Sequence, residues 1–251
     1  MSIDFYDKVA RKFGNYSNPA RYIQEFPSGE PEKIFKEKLL ELSGKGKTVL
    51  DSGCGDGRFT LLIAPHFKKV IGNDTSKLML QAAVKLQRKK GIKNVEFIER
   101  PTGDLDYPRN YFDVIYVRRA VAIYPLFYKM LKHGGYFLSI DIGEKDTMDL
   151  EKIFGRGQNI GGFDESRIEK EKKYIKDAGF QIVYAKEFYY DEYYLSYEDL
   201  DIFLQGVPIF EDYDSAKDKD NLNKYVKRYG NDKGIRLERH RVVIVAKKLS
   251  S

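Results

Sequence analysis

Residues 48–60, with the sequence TVLDSGCGDGRFT, constrain the fold of this chain more than any other segment. Residues 49–52 predict a short strand, and apolar residues at helical spacing beyond residue 58 predict a helix. Three glycines, Gly53, Gly55 and Gly57, lie between the two elements. Because glycine has no Cβ, bare backbone N–H groups in such a loop can come close to a polar ligand. The segment therefore predicts a nucleoside-cofactor site in an open α/β sheet.

The details of this loop argue against a dinucleotide. The dinucleotide fingerprint requires a glycine at the sixth position of the loop, where this chain has Arg58. The carboxylates of Asp51 and Asp56 would repel a pyrophosphate and would suit a cofactor with a cationic amino group. The nearby GKGKT sequence at residues 44–48 is not a phosphate-binding P-loop, because Glu41 takes the place of the required first glycine.

The next predicted strand, residues 70–73, is followed by Asp74. A carboxylate about 20 residues beyond the glycine loop is the usual partner of the ribose hydroxyls of an adenosine. Asp74 therefore supports the prediction of a nucleoside cofactor.

Predicted strands alternate with helices along the chain, which indicates a parallel, doubly wound sheet. Further strands are predicted at residues 95–99, 114–117, 136–141 and 181–190, with a last one from residue 239. We expect a single domain. Residues 1–46 would form N-terminal helices, residues 47–190 and 239–248 the core sheet, and residues 191–238 an insertion rich in aromatic rings. These rings cover a substrate pocket, form a dimer surface, or simply pack the insertion onto the sheet.

Five blocks of sequence occur in a characteristic order and spacing: residues 50–57, 70–76, 111–116, 130–137 and 177–183. Together they resemble the motifs of class I S-adenosylmethionine-dependent methyltransferases. Residues 5–13 are similar to the N-terminal lid helix of the small-molecule branch of that family. The resemblance implies a Rossmann-like, mostly parallel, seven-stranded sheet with N-terminal lid helices and a cap insertion before the last strand.

The resemblance also implies S-adenosylmethionine as the cofactor. Gly53 and Gly55 are expected around its methionine moiety, with Asp51 orienting the ammonium group, and Asp74 is expected to accept the ribose hydroxyls. The other expected cofactor contacts are Cys54, Thr75, Met79, Pro101, Thr102 and Val117. Members of the family usually have an acidic residue after the third strand that binds the adenine amine. In this chain that position is Pro101, so the adenine contact stays open, with Asp104 as an alternative.

The methyl acceptor is expected beside Arg118 and Arg119, which follow the fourth predicted strand. Paired arginines predict a carboxylate or phosphate on the acceptor. The alternative is one surface arginine and one salt-bridged arginine. Tyr16 and Tyr124 are expected as lid and wall residues, or as ordinary packing residues. No residue is assigned as a general base, because methyl transfer from a sulfonium does not require one.

Composition limits the partners. The net charge of +6 allows a nucleic-acid partner, but Lys and Glu alternate along most predicted helices, which is typical of solvated faces. The single cysteine fits a reducing compartment, and no apolar run could span a bilayer, so we expect a cytoplasmic protein. Three histidines and one cysteine show no ligand spacing, so no metal is expected.

These patterns favour methyl transfer from S-adenosylmethionine to a small, anionic acceptor by in-line displacement. An RNA base methyltransferase is a second hypothesis, supported by the positive charge but by no RNA-binding appendage. A non-catalytic S-adenosylmethionine-binding protein is a third. An NAD-dependent oxidoreductase is disfavoured because Arg58 replaces the third glycine. The oligomeric state is open.

Overall fold

The computed structural model describes residues 3–16, 19–158 and 166–249. The chain divides into two compact units. The first unit comprises Met1–Glu30, Ile142–Arg167 and Glu187–Arg241, and the second comprises Pro31–Asp141, Ile168–Lys186 and Val242–Ser251. The bounds of these two units differ from those of the segments predicted above. The division of one domain into those segments stays a prediction.

The described residues form nine strands and nine α-helices. The strands are β1 (Tyr22–Glu25), β2 (Gly44–Ser52), β3 (Phe67–Asp74), β4 (Val95–Glu99), β5 (Phe112–Arg118), β6 (Leu131–Ile142), β7 (Gln181–Tyr194), β8 (Gly230–Asn231) and β9 (Gly234–Lys247). The helices are α1 (Ile3–Phe13), α2 (Pro31–Glu41), α3 (Arg58–Ile63), α4 (Lys77–Lys90), α5 (Tyr124–Met130), α6 (Met148–Phe154), α7 (Arg167–Asp177), α8 (Tyr197–Gly206) and α9 (Lys219–Tyr229). None of these helices is long and apolar enough to cross a membrane.

The second unit contains the parallel part of the sheet, in the order β6-β5-β2-β3-β4. These strands are short apolar segments joined by helices, which is the pattern that forces parallel pairing. Their carboxyl ends lie along one edge, where ligands bind in open α/β sheets. The glycine loop after β2, Asp74 at the end of β3 and Arg118 at the end of β5 all lie at that edge.

The core of the second unit lies on the parallel strands. Leu50, Ile71 and Ile115, from three adjacent strands, are fully buried in one apolar cluster with Phe127 of α5 and Phe137 of β6. The complete burial of such side chains contributes about 1.5–3 kcal/mol each. This core fixes the strands whose ends carry the candidate site.

The first unit contains β1 and the predicted insertion. The Ser196 hydroxyl accepts a hydrogen bond from the Asp199 N–H at 3.1 Å and caps the start of α8. The aromatic rings predicted for the insertion are buried in this unit: Tyr193, Tyr194, Phe203, Phe210 and Tyr213. Four of them belong to one apolar cluster, so they serve packing within the first unit.

The doubly wound α/β class is confirmed, but several predicted bounds are wrong. The described residues contain nine strands rather than seven. β1 lies in a segment predicted to be helical and pairs antiparallel with β7, with Tyr22 opposite Tyr194. β7 continues to Tyr194, beyond its predicted end at residue 190, and β9 begins at Gly234, before its predicted start at residue 239. The segment between these two strands is therefore shorter than the predicted insertion.

Candidate active site

The glycine loop after β2 depends on glycine at three positions. Gly53, Gly55 and Gly57 have φ values of 80°, 52° and 70°, in the left-handed region that side chains rarely adopt. A Cβ on Gly53 would lie 2.3 Å from the Cβ of Ala120, and one on Gly57 would lie 2.7 Å from the Cβ of Ala83. In contrast, a Cβ on Gly55 would meet nothing within 4 Å, so the loop leaves open space there.

The amides of this loop are used within the chain. The N–H groups of Gly53 and Cys54 both donate to the Asn73 carbonyl at 2.9 Å, and the Gly55 N–H donates to Asp74 Oδ2 at 2.8 Å. The expectation that bare N–H groups of these residues face a ligand is therefore wrong. The glycines instead allow the left-handed turn, close packing and an open approach.

The Asp74 carboxylate is held by two backbone amides. Oδ2 accepts from the Gly55 N–H, and Oδ1 accepts from the Ser76 N–H at 2.9 Å. An ionised carboxylate has about four acceptor sites. Each oxygen therefore retains acceptor capacity, and the carboxylate fits the vicinal hydroxyls of a ribose. Next to Asp74, Thr75 is exposed, whereas the Met79 side chain is buried in α4.

Asp51 faces the interior rather than the open edge. Only 2% of the residue is exposed, and the Thr60 hydroxyl donates to its Oδ2 at 2.6 Å. Burial raises the pKa of Asp51 to about 6, although the Thr60 hydrogen bond and the nearby Arg118 charge act in the opposite direction. The role of Asp51 in orienting an ammonium group stays a prediction.

The residues expected near adenosine lie at the ends of neighbouring strands. Pro101 is exposed and precedes a short 3₁₀ turn, Thr102–Asp104. The Thr102 hydroxyl lies 2.8 Å from the Ser52 hydroxyl, which ties this turn to the end of β2. Val117 is buried in β5. No adenine-binding carboxylate is assigned by this geometry.

Cys54 carries a neutral thiol. Burial raises its pKa well above the usual value, and the carboxylates of Asp51 and Asp74 act in the same direction. A thiol of high pKa is a poor nucleophile. The thiol therefore lacks the activation that a nucleophilic cysteine needs.

Arg118 and Arg119 share a carboxylate that the sequence analysis did not identify. Arg118 Nη2 donates to Glu32 Oε2 at 2.8 Å, and Arg119 Nη1 donates to Glu32 Oε1. The Arg118 guanidinium also lies 4.0 Å from the centre of the Phe59 ring. Burial would raise the pKa of Glu32, but the two guanidinium groups outweigh it and lower the pKa to about 2. No local pattern could reveal this contact, because 86 residues separate Glu32 from Arg118.

The two tyrosines expected at the substrate have other surroundings. Tyr124 is 8% exposed in the core, its ring packs edge-on against Phe137, and its hydroxyl donates to Glu171. Tyr124 thus packs in the core, and its role as a wall residue stays a prediction. Tyr16 belongs to the first unit, where its ring centre lies 5.7 Å from that of Tyr6. Its role as a lid residue stays a prediction.

One cluster in the first unit has the residue types of a metal site: Glu144, Glu187 and His240. The Lys145 N–H donates to His240 Nδ1 at 3.2 Å, so the proton of the neutral ring lies on Nε2, 3.2 Å from Glu187 Oε1. A metal-bound histidine instead donates its second ring N–H to an acceptor. The hydrogen bond therefore favours a histidine paired with a carboxylate over a metal ligand.

Comparison with known proteins identifies the family of this chain. Residues 43–190 match the family model of a methyltransferase domain. Phosphoethanolamine N-methyltransferase 3 of Arabidopsis thaliana is 33% identical over 199 residues, which are 73% of this chain and 39% of the relative. The chain thus spans about two fifths of the length of that relative.

Two solved structures share the fold. The YcgJ protein of Bacillus subtilis has a TM-score of 0.61 at 18% identity, over 87% of this chain and 100% of that one. A phosphoethanolamine N-methyltransferase 2 of Haemonchus contortus has a TM-score of 0.59 at 17% identity, over 100% of this chain and 61% of that one. The second was solved with phosphomonomethylethanolamine and S-adenosylhomocysteine. At these identities the likeness concerns the fold alone.

Because the family model covers more than half of the chain, the chain belongs to the class I S-adenosylmethionine-dependent methyltransferases. Its cofactor is S-adenosylmethionine. The residual acceptor capacity of Asp74 and the open space at Gly55 fit this group.

Proposed function

We propose that this methyltransferase transfers the methyl group to a small acceptor that carries a phosphate or a carboxylate. The observation that carries the proposal is the pair Arg118 and Arg119, which lie at the end of β5 and at the start of the loop that follows it, beside the cofactor loop. The contact between Gly53 and Ala120 brings the two loops together. Two adjacent guanidinium groups bind a planar or tetrahedral anion through several charge-assisted hydrogen bonds.

The relatives support the same acceptor class. The plant relative at 33% identity is named for phosphoethanolamine, a small molecule with a phosphate and an amine. We extend that chemistry to this chain as a class and not as a particular compound. The accepting atom is proposed to be a nitrogen on the same basis.

For the cofactor we propose three groups of contacts. Asp74 accepts the ribose hydroxyls, and the open space at Gly55 accommodates the methionine moiety next to Gly53 and Cys54. Asp51 acts on the ammonium group from beneath the loop. The adenosine would lie along the remaining predicted contacts, Thr75, Met79, Pro101, Thr102 and Val117.

The bound cofactor supplies a methyl group that is already activated on a sulfonium. The chain's own task is therefore to hold the acceptor in line and to exclude water. Correct orientation of two reactants can lower a barrier by about 7–11 kcal/mol. If Arg118 and Arg119 bind the anion of the acceptor, this contact fixes the distance between the acceptor and the cofactor loop. An amine acceptor must lose its proton before its lone pair can attack the methyl group, and we assign no residue to that step.

The proposal is tested by transfer of labelled methyl from S-adenosylmethionine to a panel of acceptors. The panel contains phosphoethanolamine, ethanolamine, a small amino acid and unmodified transfer RNA. Label in a phosphorylated or carboxylated small acceptor, and little in ethanolamine, is the expected result. Label in RNA alone, with binding that falls steeply as salt rises, would replace the proposal by the RNA hypothesis.

Calorimetry separates catalysis from binding alone. We expect binding of S-adenosylhomocysteine without binding of NAD. If the cofactor product binds but no acceptor of any class is methylated, a non-catalytic role becomes the better account.

A further inference from the structure

We propose that Glu32 is an internal occupant of the acceptor's anion site, which the phosphate or carboxylate of the acceptor displaces. This inference rests on the proposed function. It adds that Glu32 competes with the acceptor for the two arginines, so that this competition sets the affinity for the acceptor. The competition would select acceptors with the more highly charged anion.

The two arginines bind the Glu32 carboxylate in the way that they would bind the anion of an acceptor. One carboxylate lies between two guanidinium groups, and each of its oxygens accepts from a different arginine. The pair nevertheless retains unused donors, because Arg118 Nε is buried without a hydrogen-bond partner. A buried donor without an acceptor costs free energy. A tetrahedral anion, which has more acceptor sites than a carboxylate, would satisfy this donor as well.

Within the contact with Glu32 the charges do not cancel, although the carboxylate of Asp51 also acts on Arg118 from the buried side. Two guanidinium groups face one carboxylate, and the low pKa of Glu32, about 2, keeps that carboxylate ionised at neutral pH. An acceptor anion that arrived while Glu32 stayed in place would meet its negative charge. Once Glu32 leaves, two positive charges are free, which match a phosphate dianion better than a carboxylate.

The backbone of Arg119 and the guanidinium of Arg118 are both held by contacts other than Glu32. Arg119 has a φ of 52°, and its N–H donates to the Ile140 carbonyl at 2.9 Å, while Arg118 is held against the Phe59 ring. Glu32 lies in the first turn of α2, and 35% of its side chain is exposed. A rotation of the Glu32 side chain into solvent would therefore open the site without a change in the backbone.

The test is the variant Glu32→Gln, which keeps the shape of the side chain and removes its charge. Inorganic phosphate is titrated into protein saturated with S-adenosylhomocysteine. We expect phosphate to bind about 1.5–5-fold more tightly than to the unmodified chain, the range expected from the loss of a partly exposed ion pair. The KM for a phosphorylated acceptor should fall in parallel, with kcat unchanged. Glu37→Gln is the matched control, since Glu37 lies on the same helix, is exposed and carries the same charge.

Several outcomes separate this inference from the proposed function. If phosphate binds to the unmodified chain and the binding is lost in Arg118→Gln, the anion site exists. Unchanged or weaker phosphate binding by Glu32→Gln would then overturn the competition alone and would make Glu32 a residue that positions the arginines. If neither the unmodified chain nor Glu32→Gln binds phosphate, while both bind S-adenosylhomocysteine, the proposal of an anionic acceptor and the proposal of competition by Glu32 are both wrong. Glu32→Ala serves as a second variant if Glu32→Gln loses the binding of S-adenosylhomocysteine.

Discussion

Gly53 and Ala120 pack so closely that a Cβ on Gly53 would lie 2.3 Å from the Cβ of Ala120. Gly53→Ala should therefore lower the free energy of unfolding through two effects. Left-handed backbone costs a residue with a side chain about 1–2 kcal/mol. Overpacking adds about 1–3 kcal/mol. Denaturant unfolding measures the sum.

Gly55→Ala is the matched control, because Gly55 is also left-handed but has open space where a Cβ would lie. It should show only the backbone cost. The double variant Gly53→Ala/Ala120→Gly should regain most of the packing loss. Equal destabilisation by the two single variants, with no rescue, would show that the two loops do not constrain each other.

Asp74→Asn should weaken the binding of S-adenosylhomocysteine by about 1–3 kcal/mol, through the loss of charged hydrogen bonds to the ribose. The amide keeps one of the two oxygens, so the bond from either Gly55 or Ser76 can persist and the loop is expected to stay folded. Calorimetry provides the affinity, and Asp106→Asn, at an exposed position, is the control. An unaltered affinity in Asp74→Asn would mean that other groups hold the ribose.

Asp51 should make the stability of the protein depend on pH in a defined window. Its pKa is raised from 3.8 to about 6 by burial, so the folded chain binds this proton more tightly than the unfolded chain does. The stabilisation is complete below about pH 4 and is lost as the pH rises to 6. The difference corresponds to about 3 kcal/mol.

The measurement compares Asp51→Asn with the unmodified chain, without cofactor, by denaturant unfolding at pH 4, 5, 6 and 7. The variant should gain stability relative to the unmodified chain as the pH rises from 4 to 6, because it cannot ionise. A constant difference across this range would contradict the raised pKa.

In the first unit, a buried charge network should be essential to stability. Asp146 accepts hydrogen bonds from Arg239 Nε at 3.0 Å, from Arg241 Nη1 at 2.6 Å and from the His240 N–H at 2.8 Å. Asp146→Ala would leave two buried guanidinium groups short of a partner, and the loss should be about 3–5 kcal/mol.

Asp212→Ala is the comparison, because the Asp212 side chain is 76% exposed in its pair with Arg156. Such a pair contributes at most about 1 kcal/mol. Thermal or denaturant unfolding of both variants decides the question. Similar losses in the two variants would show that burial adds nothing to the network.

The part of the fold that local sequence could predict is the part governed by local physics. The β2 strand, the left-handed glycines and the Ser196 cap follow from backbone preferences within a few residues, and the structure contains all three. Asp74 was also identifiable, because its distance from the loop along the chain follows from one strand–helix–strand unit.

The remaining features depend on contacts between distant residues. The pairing of β1 with β7 joins residues more than 160 positions apart, and the pairing of Glu32 with Arg118 spans 86. The prediction that the loop amides face a ligand was wrong. The sequence pattern could not show that the Asn73 carbonyl and the Asp74 carboxylate already accept hydrogen bonds from these amides. A single sequence identifies the residue types at the sheet edge but not which of them bind each other.

We propose that Arg118, beside the cofactor loop, recognises an anionic group on the acceptor. This role is measured by the ratio of kcat/KM for phosphoethanolamine to kcat/KM for ethanolamine, in the unmodified chain and in Arg118→Gln. We expect a strong preference for the phosphorylated acceptor, which falls about 10–100-fold in the variant as charged hydrogen bonds are lost. Equal use of the two acceptors by the unmodified chain, or the same preference in Arg118→Gln, would contradict it.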